Sequence, residues 1–271
     1  MLILAFDTAT PFCSAALAED DRILARADDE LGKGHSEHLA RQLPALLAQA
    51  GKNFADLNRI GVNIGPGSFT GVRVGAAAAR ALALALGIPA VGISAFAALK
   101  AQAEAALKTA EPLNMGVALA GSRGQIYWQY FPAGCAAEAP LSCPAEQAAH
   151  RLACAIQDGK IGARFCLTGS AAAEASALLP ANLREKTTLL PGGQTADIAV
   201  FAAYAAQAAA PFAAPSPLYL RAPDAKPQSA QNMAMKQQFR AAPQAVAPQP
   251  ASPAAPQVAT PQMAAKSDEA K

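Results

Sequence analysis

An α/β fold of two lobes, each a mixed sheet flanked by helices, is what the order of elements predicts for this chain of 271 residues. Three observations carry the prediction. Three short apolar runs are followed by alternating helices and strands; the second half repeats that order; and a glycine-rich junction, Ile60 to Ala79, joins a strand to an unusually bare helix. No residue-level repeat is visible, so the duplication is one of topology.

Leu2 to Phe6, Ser14 to Ala18 and Ile23 to Ala27 read as a meander, with Glu19-Asp20-Asp21 as the turn between the last two. A helix from about Ser36 to Ala50 follows, because Leu39, Leu43, Leu46, Leu47 and Ala50 form one apolar stripe at helical spacing. Strand Arg59 to Ile64, the bare helix, strand Ala90 to Ile93 and a helix opening near Ser94 complete the first half. In the second half, Met115 to Leu119 and Gln125 to Phe131 flank the turn Gly121-Ser122-Arg123-Gly124. Helices Ala145 to Gln157 and Ala171 to Leu179 then alternate with strands Arg164 to Thr168 and Thr187 to Leu190, and a last helix spans about Thr195 to Ala209. The expected division is a first lobe over 1–110, a second over 111–222 with its last helix (about 195–210) able to pack back on the first lobe, and a tail over 223–271.

At the junction, Gly65 and Gly67 flank Pro66 in a bend that side chains would crowd, and Ser68 or Thr70 can cap the following helix by accepting from its free amides. Such a loop can hold an anion or simply make a corner. A Walker loop is excluded because Val72 and Arg73 follow Gly71 where Lys and Ser/Thr are needed, and the glycine spacing also misses the dinucleotide fingerprint.

From Val74 to Leu86 the helix carries Arg80 as its one charge, so no face is made for water. Two readings stand, a central helix buried in its own fold or a subunit interface whose small Ala77, Ala78, Ala81 and Ala85 admit a second helix closely. Arg80 in mid-stretch, among alanines that gain little from lipid, argues against a membrane span.

A formal net charge of +2 supplies no field for gripping nucleic acid unaided. Five cysteines without a C-x-x-C pair argue against a disulfide framework or structural zinc and fit a reducing cytoplasm. The N-terminus meets Asp7 at once without a basic region, and reads as a strand and not a signal peptide. After Arg221 the composition shifts to Ala, Pro and Gln, which predicts a disordered tail.

The three histidines restrict general-base and metal chemistry. His35 and His38, three apart, could share a ligand with Glu37 or form a polar first helical turn. No nucleophile elbow supports a Ser-His-Asp triad. Asp7-Thr8-Ala9-Thr10, at the end of the first strand, can position magnesium, water or phosphate, or form an Asx turn.

Together, Leu4-Ala5-Phe6-Asp7-Thr8-Ala9-Thr10, the His38 to Pro44 stretch, Gly65-Pro66-Gly67-Ser68-Phe69-Thr70-Gly71-Val72-Arg73-Val74-Gly75, Ile126-Tyr127-Trp128 and Pro217-Leu218-Tyr219-Leu220-Arg221 resemble the bacterial TsaB family, also called YeaZ, over residues 1 to about 222. The resemblance implies an actin-like ATPase (ribonuclease H-like) duplicated fold and a role in making threonylcarbamoyladenosine beside the anticodon of transfer RNA. It implies a non-catalytic subunit acting through the paralogue TsaD, with the ATPase TsaE joining and tRNA met only through the complex. No cofactor of its own is implied; ATP or ADP could sit at a shared interface, for which Asp7, Thr8, Gly65, Gly67, Ser68 and Thr70 are the contact candidates.

Two departures bear on chemistry. Where TsaD-like chains carry two metal-binding histidines four apart, this chain has Ala95 and Leu99, which cannot bind a metal. Ala9 also brings a methyl group where active relatives of the fold place glycine near phosphate. Elsewhere, Ala120, Gly121 and Ser122 replace the Asp-Ala-Arg of many family members. The expected partner face comprises Leu39, Leu43, Leu46, Arg73, Val74, Ala77, Ala78 and Ala81, which would meet TsaD, or a second copy when TsaD is absent. The rival activities are an actin-like phosphotransferase or ATPase and, with less support, a peptidase.

Overall fold

The computed structural model describes residues 1–108, 113–157 and 165–221, so the tail expected from 223 onward lies outside the described residues. Met1–Ala222 group as one compact unit.

The first half begins with β1 (Leu2–Asp7), β2 (Phe12–Glu19) and β3 (Arg22–Glu30), followed by α1 (His35–Gln49), β4 (Arg59–Asn63), α2 (Phe69–Leu86), β5 (Ala90–Ile93) and α3 (Ala95–Leu107). Its sheet runs β3-β2-β1-β4-β5, with β1 antiparallel to β2 (Phe6 opposite Ala15) and parallel to β4 (Leu4 opposite Ile60). Each strand of β1 and β4 buries nearly every residue, because helices cover both faces of this sheet.

The second half has β6 (Asn114–Ala120), β7 (Gln125–Phe131), β8 (Leu141–Pro144), α4 (Ala145–Gln157), β9 (Phe165–Thr168), α5 (Ala172–Ala177), α6 (Ala181–Arg184), β10 (Thr187–Leu189) and α7 (Ile198–Gln207). Its sheet order, β8-β7-β6-β9-β10, reproduces that of the first half strand for strand. The fold is therefore the duplicated actin-like, ribonuclease H-like one. β8 and α6 do not appear in the sequence reading: β8 is four residues long and ends on Pro144, and α6 is one turn begun by Pro180. Strand patterns that short carry no measurable period.

Three cores hold the unit together. The outer face of the first sheet packs Leu4, Phe6, Leu17, Ile60 and Val62 against α1 and α2. Between the two sheets, α3 and α7 bring Phe96, Leu99 and Phe201 against Ile3 and Ala5 of one sheet and Met115, Val117 and Leu119 of the other. The far face of the second sheet packs Trp128, Phe165 and Leu167 with α4 and α5. Full burial of each such aromatic or aliphatic side chain contributes roughly 1.5–3 kcal/mol relative to exposure.

α7 lies on the first sheet, against β1, β2 and β4, although it follows the second in sequence. Arg59 of β4 fixes it there: Nη1 donates to the carbonyls of Ala205, Ala206 (3.1 Å) and Ala208 (2.9 Å), and the guanidinium lies 4.7 Å from the Phe212 ring centroid. A cation on the last carbonyls of a helix opposes their partial negative charge.

One sequence expectation is corrected here. Leu39, Leu43 and Leu46 are 2%, 4% and 2% exposed and belong to the chain's own core, so they do not form a partner face. The stripe that marks α1 as amphipathic is spent on its own sheet. Among the residues α1 presents outward are Arg41, Pro44, Ala45 and Ala48.

Candidate functional site: a closed loop junction beside an uncovered helix

The ends of β1 and β4 lie side by side, and their registers bring Asp7 and Asn63 together just beyond the Phe6–Val62 pair. The Asp7 carboxylate, 1% exposed, accepts from Ala9 N (2.7 Å), Asn63 Nδ2 (2.9 Å) and Thr195 Oγ1 (2.8 Å). Burial pushes its carboxyl above the ordinary value of 3.8, while the Ala9 amide, Asn63, Thr195 and the nearby His35 pull in the opposite direction. All three donors belong to the chain itself. The bond to Ala9 makes Asp7-Thr8-Ala9 an Asx turn, one of the two readings open from sequence.

The glycine run exists because two backbones touch there. A Cβ on Gly71 would stand 1.8 Å from the Thr8 carbonyl oxygen, and one on Gly67 2.4 Å from that of Ala9. With no side chains in the way, Thr8 Oγ1 donates to Gly71 O (2.7 Å) and Ser68 N donates to Ala9 O (2.7 Å). Ser68 caps α2, its Oγ accepting from Gly71 N (3.2 Å). Gly65, at φ +97°, turns the chain into this junction and donates its N–H to Asn63 Oδ1 (2.8 Å).

The structure thus brings together Asp7, Thr8, Gly65, Gly67, Ser68 and Thr70, and fills the space between them with the chain's own oxygens. The Ala9 carbonyl and the Ser68 hydroxyl occupy two amides at the start of α2 to which an anion would bind. Gly67, Ser68 and Thr70 remain exposed on the outer side, whereas Asp7, Thr8 and Ala9 are buried.

α2 has two unlike faces. Val72, Gly75, Ala76 and Ala79 are buried on the sheet, and Val74 and Ala78 are half-buried. Arg73, Ala77, Arg80, Ala81, Leu84 and Ala85 are exposed, Leu84 by 86%. By length and composition α2 could also cross a bilayer, with 28% of it buried within the chain. At its N-terminal end, Arg73 lies 3.7 Å from the Phe69 ring centroid and donates from Nε to Tyr219 Oη (2.7 Å), while Phe69 and Tyr219 pack at 5.3 Å. These contacts join residues of two separate motif segments, Phe69 and Arg73 of one and Tyr219 of the other. They clasp the segment 212–221 to α2, and the Leu218 N to Ile64 O bond (2.8 Å) ties the same segment to the loop between β4 and α2.

The other sequence candidates separate. His35 Nε2 lies 3.0 Å from Thr10 O, whereas His38 Nε2 lies 2.8 Å from Asp29 Oδ2, so the two rings serve different partners. The His38 bond, then that from Gln42 Nε2 (2.8 Å), holds the Asp29 carboxyl below its usual value. Ala95 and Leu99 are 0% and 1% exposed, packed in the core between the sheets. At the β6–β7 turn, Arg123 takes φ +60°, Ala120 N donates to Ser170 Oγ (2.9 Å), and Ser122 Oγ accepts from Arg221. Sequence reasoning missed Asn63 and Thr195 as the partners of Asp7; a polar residue closing β4, beside an Asp closing its parallel neighbour, was the available signal for the first.

Comparison with known proteins places these features in context. Residues 29–136 match the family model described as TsaD, tRNA N6-adenosine threonylcarbamoyltransferase. The tRNA threonylcarbamoyladenosine biosynthesis protein TsaB of Escherichia coli K12 is 34% identical over 132 residues, 48% of this chain and 55% of that protein. The chain thus spans about half the length of the TsaB relatives it matches. An uncharacterized protein of Mycobacterium tuberculosis H37Rv is 32% identical over 83% of this chain and 94% of its own length. Among solved structures, a Pseudomonas aeruginosa protein described as similar to peptidase YEAZ superposes with a TM-score of 0.60 at 23% identity, covering 81% of this chain and 99% of that one. YeaZ of the same organism gives 0.58 at 22% identity over 76% and 90%.

Proposed function

The chain belongs to the TsaB (YeaZ) family, and from that premise we propose that it serves threonylcarbamoyladenosine biosynthesis on transfer RNA as a non-catalytic subunit docking on a TsaD-type transferase. One observation carries the docking reading. The outer face of α2, Ala77, Ala81 and Ala85 with Leu84 beside them, is uncovered although the helix is apolar apart from Thr70, Arg73 and Arg80. Alanines at this spacing let a second helix approach closely, and the contact would extend to the outward residues of α1, Arg41, Pro44 and Ala45.

The non-catalytic part rests on the closed junction. An actin-like phosphotransferase needs its first loop open to phosphate, and here Thr8 and Ala9 press directly on Gly67 and Gly71. On this reading, phosphate contact during catalysis is left to the partner. TsaE and any ATP or ADP would join at the assembled complex, and tRNA would be met through it.

Reconstitution tests this. Transfer-RNA modification by TsaD with and without the chain should show strong dependence on it, and Ala77→Glu should abolish copurification with TsaD while circular dichroism and the melting transition stay those of the wild type. Complex formation unchanged by Ala77→Glu refutes the interface. Turnover of magnesium-ATP by the isolated chain would favour the phosphotransferase reading.

A further inference from the structure

Beside the exposed stripe of α2, its C-terminal half and the segment 212–215 enclose an open groove of about 440 Å³, lined by Arg80, Ala81, Leu84, Phe212 and Pro215 among others. We propose that this groove takes a large apolar side chain from an acidic amphipathic helix of the protein that docks on α2, with a carboxylate of that helix pairing with Arg80. The proposal rests on the docking reading above and adds the chemistry of the partner.

Three features converge on that occupant. Its walls are apolar and formed in part by large side chains held outward: Leu84 is 86% exposed and Phe212 36%. The segment that forms the second wall is built, not loose, since Arg59 stacks on Phe212 at one end and Leu218 and Tyr219 are bonded to Ile64 and Arg73 at the other. The charge is also of one sign. Neither α2 nor residues 210–221 contain an acidic side chain, while Arg73, Arg80 and Arg221 lie along them. Among the described residues, no ion pair engages Arg80, whereas Arg73 is occupied by Phe69 and Tyr219.

The groove is continuous with the alanine stripe, because Ala81 and Leu84 line the one and belong to the other. A helix lying along Ala77 and Ala81 therefore presents a residue to the groove about one turn further on. A desolvated guanidinium at the centre of a contact favours a carboxylate over a neutral group and sets the register of the pair. An exposed arginine on a basic surface, meeting acids, also makes association salt-dependent.

The test titrates the full chain with TsaD of the same organism by calorimetry, at low and high sodium chloride, using wild type, Arg80→Glu, Arg80→Lys, Leu84→Ser and Ala77→Glu. Arg80→Glu should weaken binding at least tenfold and erase most of its salt dependence, Arg80→Lys should retain much of the affinity, and Leu84→Ser should weaken binding several-fold at both salt concentrations. All substituted positions are exposed, and matching melting curves exclude misfolding. If Arg80→Glu and Leu84→Ser bind as wild type while Ala77→Glu does not bind, the groove assignment is overturned and the α2 face stands. Should Ala77→Glu bind normally, or the wild type not bind TsaD, both fall. Loss of self-association alone, seen by sedimentation, assigns the groove to a second copy and overturns the proposal.

Discussion

Replacing Gly71 by alanine puts the closed junction to its severest trial. The added methyl carbon would sit 1.8 Å from the Thr8 carbonyl oxygen, where ordinary contact starts at 3.4 Å, so the two backbones must part by about 1.6 Å, the difference between those distances. Separation on that scale breaks Thr8 Oγ1 to Gly71 O and Ser68 N to Ala9 O, each 2.7 Å. Leaving buried polar groups without partners costs about 1–3 kcal/mol each, against roughly 1 kcal/mol recovered from the better helix propensity of alanine. The expected net loss is roughly 2–4 kcal/mol, which at a urea m-value of about 2–3 kcal/mol/M lowers the midpoint by about 1 M. Gly75→Ala meets the Thr8 hydroxyl at 2.8 Å, the Val62 methyl at 3.3 Å and, in ordinary contact, the Asn63 carbonyl at 3.9 Å, and should lose about 1 kcal/mol; Gly32→Ala meets nothing within 4 Å and should be neutral. A Gly71→Ala protein whose urea midpoint matches that of Gly32→Ala would show that the loop stands open in solution, and the argument for a filled phosphate position would fail with it.

Further expectations concern titration and thiol access. Because burial raises the Asp7 carboxyl above its ordinary 3.8, the folded chain holds a proton there that the unfolded chain releases, so its contribution to stability is present below that value and is lost as pH rises through the raised one. Asp7→Asn cannot titrate, and urea midpoints taken between about pH 4 and 7 should show wild type losing ground to the variant as pH rises; a trend in the opposite sense refutes the assignment. Cys13, buried and pushed up to about 12 by burial and then by Asp29 and Asp7, should resist iodoacetamide together with buried Cys143 and Cys166, while exposed Cys135 is alkylated. Peptide mass spectrometry of the native protein reads this directly, and rapid labelling of Cys13 would contradict the packing of β2 on α1.

Much of the architecture could be read from the chain because local signals and packing agree. Ser94 and Asp197 cap α3 and α7, and each accepts from a backbone amide at the helix start, 3.1 Å to Ala97 N and 2.8 Å to Ala199 N. The start of α2 was legible from Ser68 as its cap, but the reason for the glycines within its first turns was not. Gly71 and Gly75 lie inside a helix that begins at Phe69, and what requires glycine there is contact with Thr8, about sixty residues earlier. Likewise the leucines of α1 and the alanines of α2 give similar stripes in sequence, but only the sheet decides which is already covered. The Asp7 bond to Thr195 spans 188 positions and had no local trace at all.

The placement of α7 has a consequence for how the chain can be divided. Its residues Phe201, Ala202 and Ala205 seal the inner side of the first sheet, and Arg59 reaches up from β4 to hold its last carbonyls. Cutting between the repeated halves would strip the earlier one of its lid and bare Ile3, Ala5 and Ala16 to water. The two halves are thus twins in strand order but not in autonomy, and a fragment comprising only the earlier one is expected to require α7 supplied in trans before it becomes protease-resistant.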